Sequence, residues 1–114
     1  MLDDLASVAL QSAIAGLNKR QQVTANNIAN METPNFTASS VSFESSLANA
    51  INAGNPASTQ VSVDPTSDPA GVNGNNVNLD SEFVTATKTG LQEQLLTQAL
   101  SSHYAELSAA LKAN

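Results

Sequence analysis

Ala25-Asn26-Asn27-Ile28-Ala29-Asn30-Met31-Glu32-Thr33-Pro34-Asn35-Phe36 is the stretch that decides the reading of this chain. A single aliphatic branch, Ile28, stands among amides at the end of a long amphipathic segment, and a Thr-Pro step followed by an aromatic then breaks the pattern. Pro34 biases Thr33 away from the helical region, so a helix that begins near Asp3 is expected to end by about Asn30. Nothing in the stretch assembles an acid–base pair, a nucleophile or a metal cluster. It reads as a surface for packing against copies of itself or close relatives, which points to assembly rather than chemistry.

Working outward, the residues before it carry helical periodicity. Leu10, Ile14, Leu17 and Ile28 fall on one stripe, with Gln21 and Thr24 filling the heptad spacing between the last two. Leu2, Leu5, Ala9 and Ala13 form an adjoining stripe, and Asp3 and Asp4 sit where a helix start favours negative charge. A second helix is expected from about Asp80, read as its N-cap, to Lys112. There Leu96, Leu100, His103, Leu107 and Ala110 step by four, three, four and three, which is a heptad seam. Leu91, Leu95, Tyr104 and Leu111 widen that apolar face. At 1.5 Å per residue the two rods would be roughly 40 and 50 Å long.

The middle differs. Residues 41–52 predict a short helix with Phe43, Leu47, Ala50 and Ile51 on one side. Residues 53–78 hold Gly54, Pro56, Pro65, Pro69, Gly71 and Gly74 and read as flexible loop, with one short strand where Val61 and Val63 alternate with polar neighbours. Asn73-Gly74-Asn75-Asn76 is a turn signal. The expected fold is therefore mainly all-α. Two long terminal helices pack as an antiparallel, coiled-coil-like hairpin, joined by a loop-rich middle with a short helix and one short strand. The parts are 1–33, 34–79 and 80–114.

Composition narrows the function. Ten Asp and Glu against four Lys and Arg give a net charge of −6, which repels nucleic acid and anionic membranes. Only 12% of residues are charged, and amides and hydroxyls take their place, a surface that desolvates cheaply against a partner. With three Phe, one Tyr and no Trp the core is thin, so the isolated chain is expected to be marginally stable and to draw order from neighbours. The absence of Cys excludes disulfides, thiolate zinc sites and Cys nucleophiles. His103, the lone histidine, has Ala99 and Leu107 one turn away and reads as a packing residue rather than a ligand or base. Asp64, Asp68 and Asp80 are spaced across Pro65 and Pro69 without the order of a calcium loop. No metal, cofactor, nucleic acid or small-molecule substrate is expected, and an enzyme has no support in the residues. No stretch approaches the roughly 20 apolar residues of a membrane span, and no apolar core of a cleavable signal peptide is visible.

Asn26-Asn27-Ile28-Ala29-Asn30 followed by Thr33-Pro34-Asn35-Phe36 resembles the N-terminal signature of the bacterial flagellar axial family, the rod, hook and hook-filament proteins. Gly74-Asn75-Asn76-Val77-Asn78-Leu79-Asp80-Ser81-Glu82 is similar to the segment that opens the C-terminal helix in the rod members. The short length, without a large inserted middle domain, is similar to the proximal rod proteins, of which two types stay open. The resemblance covers about residues 1–51 and 74–114. One position departs from it: Asn35 stands where the family usually has Gly, in a turn expected to need positive φ, a region that Asn visits readily.

The resemblance implies a structural subunit of the basal-body rod that polymerises through its terminal helices and passes torque from motor to hook. It implies export through the flagellar type III apparatus without a cleaved leader, a place in the basal body within the cell envelope, and other rod subunits, the basal-body base and its own copies as partners. The residues expected at subunit interfaces are Leu10, Ile14, Leu17, Asn26, Asn27, Ile28, Asn30, Leu96, Leu100 and Leu107. The plainer reading makes the asparagines helix terminators and the leucines an internal core. Thr33, Pro34, Asn35 and Phe36 form the signature turn. Phe43 and Leu47 fit the aromatic-and-apolar spacing that the export gate reads in related subunits, or simply form the buried side of the short helix. The competing function is a small helical adaptor or export chaperone that binds one partner.

Overall fold

Asp4 sets the start of the first helix. In the computed structural model, which describes residues 4–113, its backbone is extended and its carboxylate accepts the Ser7 N–H at 2.9 Å, satisfying one of the unpaired donors of the first turn. The expectations placed on Leu2 and Asp3 lie outside the described residues. Helix α1 then runs Leu5–Ala29 and closes where the Asn30 N–H turns back to the Asn26 and Asn27 carbonyls. Strand β1 (Ser39–Ser42), helix α2 (Glu44–Asn52), a single 3-10 turn (Pro56–Ser58) and strand β2 (Ser62–Pro65) follow, before helix α3 (Leu79–Lys112).

Three expectations change. The N-cap of α3 is Asn78, whose side chain accepts the Ser81 N–H at 3.1 Å, and Asp80 sits in the first turn instead. Asn and Asp cap about equally well, so the sequence offered two candidates and packing chose the earlier one. The middle holds two strands rather than one: β1 and β2 pair antiparallel, with Val41 opposite Val63. Ser39-Ser40-Val41-Ser42 carries one apolar residue and no helix or strand period, so its extended form is imposed by pairing and by burying Val41. The short helix accordingly begins at Glu44, not Val41.

α1 and α3 pack together along their lengths. Asp4 meets His103, Gln21 meets the Ala86 carbonyl and Asn27 meets Glu82, so rising numbers in one helix face falling numbers in the other. The backbone measures 66 × 25 × 14 Å, about one layer of helices thick. Thinness of this kind cannot cover both sides of a helix. α1 buries Ser7, Ala13, Gly16, Leu17, Thr24 and Asn27, whereas the 34 residues of α3 bury only Thr89. Of the expected seams, Leu17 is buried, and Leu10, Ile14, Ile28, Leu96, Leu100 and Leu107 are half-buried.

The core sits where α1, β1 and the start of α2 meet, built from Ala13, Leu17, Val41 and Phe43, with Val23, Leu47 and Leu96 packed against it. Phe43 lies so close on α1 that a Cβ at Gly16 would come within 2.6 Å of its ring. That contact explains a glycine in mid-helix, where it costs about 1 kcal/mol relative to Ala. Above the ring, the Arg20 guanidinium stands 4.9 Å from the centroid and grips the Glu44 carboxylate through two bonds, at 2.6 and 2.8 Å. Its Nη2 also donates to the Val41 carbonyl at 2.7 Å.

These pairings leave a signature in acid. The Arg20 bonds hold Glu44 at a pKa of about 2, and the Ser7 bonds, with His103 adding to them, hold Asp4 at about 2. A carboxyl depressed by folding contributes stability above its unfolded value and loses it as pH falls through the folded one. The melting temperature should therefore hold between pH 7 and 5 and fall as pH drops from about 4.5 toward 2. Glu82, whose pKa burial raises, works in the opposite direction. Thermal melts of Asp4→Asn/Glu44→Gln against pH should show a flatter acid limb; an unchanged limb would remove these two groups from the account.

Candidate assembly surface

The end of α1 is finished by groups from far along the chain. Asn30 Nδ2 donates to the Asn26 carbonyl at 2.9 Å, and its Oδ1 accepts from Thr33 Oγ1 at 3.0 Å. The Thr33-Pro34-Asn35-Phe36 turn closes with Phe36 N–H on the Thr33 carbonyl. Asn35 takes the positive φ expected of that position, 60°, and its N–H donates to the Asn73 carbonyl at 2.9 Å. Gly74, itself at φ +78°, presses against Asn35; a Cβ there would overlap the Asn35 amide oxygen.

Two buried asparagines lock this turn. Asn75 Nδ2 donates to both the Asn30 and Thr33 carbonyls at 2.8 Å, supplying partners that the end of a helix lacks. Asn76 accepts the Ala38 N–H at 2.7 Å and donates to Thr66 Oγ1 at 3.0 Å and the Asp68 carbonyl at 3.2 Å. Asn27, 1% exposed, reads the β1 backbone with both ends of its amide: Oδ1 accepts Ser39 N–H at 3.1 Å and Nδ2 donates to Ser39 O at 2.8 Å. The same Nδ2 reaches Glu82 Oε1 on α3 at 3.0 Å. Residues 26–36 and 74–82, distant in sequence, thus form one hydrogen-bonded unit. Asn75 and Asn76 read in the sequence as turn residues. Their role as buried amides follows only from α1 ending opposite them.

Asn26, Thr33, Pro34 and Asn35 are exposed, while Ile28, Asn30 and Phe36 are half-buried. Leu17 and Asn27 are spent inside the chain. Phe43 is buried at 4% exposure and Leu47 is half-buried beside it. At the far end, His103 Nε2 approaches both Asp4 carboxylate oxygens, at 2.9 and 3.1 Å, and Gln11 Nε2 donates to the Tyr104 hydroxyl. Among the described residues no three His, Asp or Glu side chains converge as metal ligands, and no helix is long and apolar enough to cross a membrane.

A rigid turn cassette at one end of two long, incompletely covered helices is the equipment of a structural assembly module. Comparison with known proteins agrees. The profile of the family described as "Flagella basal body rod protein" matches residues 9–37. The chain is 30% identical to the flagellar basal body rod protein FlgB of Bacillus subtilis, over 90% of this chain and 89% of that one. It is also 30% identical to FlgB of Borreliella burgdorferi, over 84% and 87%. The chain belongs to the flagellar basal body rod protein family, FlgB type. Its function is structural, as a rod subunit of the flagellum, and it is not an enzyme.

Proposed function

We propose that the chain polymerises through its terminal helices into the proximal rod, and in that tube passes torque from the motor toward the hook. The observation that carries this reading is the half-buried seam: Leu10, Ile14, Leu96, Leu100 and Leu107 each leave apolar surface open along helices only one layer thick. Neighbouring subunits complete that seam in coiled-coil fashion, together with Asn26, Ile28 and Asn30. Leu17 and Asn27 support the interface from inside, and the Thr33–Phe36 turn fixes where the helix ends. Its partners are other rod subunits, copies of itself and the base on which the rod stands, at a site within the cell envelope. An open, head-to-tail arrangement suits a tube better than a closed dimer.

Export precedes assembly, by the flagellar type III route and without a cleaved leader. Phe43 and Leu47 supply the signal that the export gate reads. Because the fold covers Phe43 with Gly16 and Arg20, the signal is legible only before α1 and β1 come together.

Deletion of the gene should abolish swimming, and electron micrographs should show motor bases without rods. Complementation with Ile28→Asp should fail, since assembly would bury an unpaired charge. The purified variant should keep its helical circular dichroism, because Ile28 is only half-buried in the free chain. Normal motility of the Ile28→Asp strain would remove this residue from the interface, and rods in the deletion strain would remove the protein from the rod.

A further inference from the structure

Outside the seam, α3 carries a second apolar stripe. Phe83, Val84, Leu91 and Leu95 are all more than half exposed and, with Lys88, line an open groove of about 540 Å³. Leu95 also borders the cavity above Leu17, Phe43 and Leu96, so whatever fills the groove extends the core of the chain itself. Lys88 makes no ion pair among the described residues. The groove therefore calls for a helix with small side chains, which bulky residues can approach closely, and with one carboxylate placed for Lys88.

The outward face of α1 has that form. Ala15, Asn18, Gln22, Ala25 and Ala29 step by three, four, three and four residues, and all are exposed. Glu32 follows in the turn just past the end of α1, a carboxylate that is likewise unpaired among the described residues. Because α1 and α3 are antiparallel within one chain, identically oriented copies bring α1 of one copy antiparallel to α3 of the next. In that direction the helical spacings coincide, Ala25 opposite Leu95 and Ala29 opposite Leu91, and the turn that follows α1 brings Glu32 to the Lys88 end of the groove. Large residues then meet small ones, and the free cation meets the free carboxylate.

We infer that the groove on α3 receives the outward face of α1 from a second copy of this chain, in this register. The inference rests on the rod-subunit reading above, and it names the contact through which copies join. The contact is heterologous: each copy offers its α3 groove to one neighbour and its α1 face to another, so it propagates rather than closes.

The chain lacks Cys, so introduced thiols report cleanly. Within one chain Asn27 meets Glu82, and Leu91 lies nine residues beyond Glu82, roughly 14 Å along the helix. Cysteines at 29 and 91 of the same chain are thus too far apart for a disulfide, which needs Cα atoms within about 7 Å. Cells should be made to produce Ala29→Cys/Leu91→Cys as the sole copy, treated with a mild oxidant, and their basal bodies purified. Disulfide-linked multimers of the chain are expected from the double variant and none from either single variant. Ala29→Cys/Leu107→Cys, out of register, should give none. The charge test is independent: Glu32→Lys and Lys88→Glu should each impair motility, and their combination should restore it. Basal bodies that contain the double variant without cross-links would overturn this contact while leaving the rod reading intact. Dimers from a single variant would overturn the heterologous register. Absence of the wild-type chain from purified basal bodies would remove the rod reading and this contact with it.

Discussion

Phe43→Ala is expected to destabilise the free chain by about 3–5 kcal/mol, the range for emptying an aromatic site in a core. Small domains have only about 5–15 kcal/mol in total, and among the described residues few large apolar side chains are buried besides Phe43: Leu17 and Val41 are the others, with Ala13, Ala38 and Ala50. The variant should therefore be largely unfolded in buffer, with most helical circular dichroism lost at 25 °C. The ring does three things at once. It fills the space that Gly16 leaves open on α1, offers its face to Arg20, and holds α2 beneath the helix pair. Phe43→Leu keeps much of the volume and loses only the cation contact and part of the fit, so urea denaturation should place it well above Phe43→Ala. The two partners should also couple. Gly16→Ala alone overpacks the ring and should cost about 1–3 kcal/mol; in the Phe43→Leu background the smaller side chain leaves room and the cost should shrink. A Phe43→Ala chain within 1 kcal/mol of the parent would mean that the core lies elsewhere.

How far the fold was legible in the sequence depends on which physical signal each element carries. α1 and α3 were legible because their apolar residues recur at helical spacing and because Pro34 marks where the first helix must end. Asn35 was legible too: the turn needs positive φ, and Asn is among the few side chains that accept it. β1 was not. Its sequence, Ser-Ser-Val-Ser, has no period, and its extended form is stabilised by β2 and α1, which lie elsewhere in the chain. The same holds for the cap of α3, where two equivalent cap residues stood two positions apart. Of the assembly surface, the resemblance placed residues 26–36 and 74–82 in separate motifs. That they form one hydrogen-bonded unit required Asn75 and Asn76 to be seen facing inward.

That union bears on function. A rod subunit in the proposed torque-carrying role must not let its helices slide or its turn open under load. Apolar side chains on smooth helices resist sliding weakly, since one packing register resembles the next, whereas a buried amide with every bond made fits one position only. Asn27 ties α1 to β1 and α3, Asn75 ties the end of α1 to the segment before α3, and Asn76 ties that segment to the 36–38 and 66–68 backbone. The thin apolar core and the dense amide network are therefore complementary: burial supplies cohesion, and the asparagines supply register.

Asn27→Ala tests this directly and should be among the most damaging substitutions that leave the apolar core untouched. The change removes three hydrogen bonds from a side chain 1% exposed and strands the Ser39 N–H and the Glu82 carboxylate. Leaving buried groups unsatisfied costs about 1–3 kcal/mol each, more for a charge, so a loss of about 2–4 kcal/mol is expected. Its pH dependence identifies the cause. Burial raises the Glu82 pKa and the Asn27 bond opposes that rise, so removing the amide should push it further up. A carboxyl raised by folding favours its protonated form and penalises the fold as pH climbs through the folded value. The deficit of Asn27→Ala should therefore be smaller near pH 4 than at pH 8. In Asn27→Ala/Glu82→Gln, which has no charge to strand, it should become nearly independent of pH. Urea denaturation of the four chains at both pH values decides the matter. A deficit equal at both, in either background, would mean that Asn27 acts through β1 alone and that its reach to α3 contributes nothing to register.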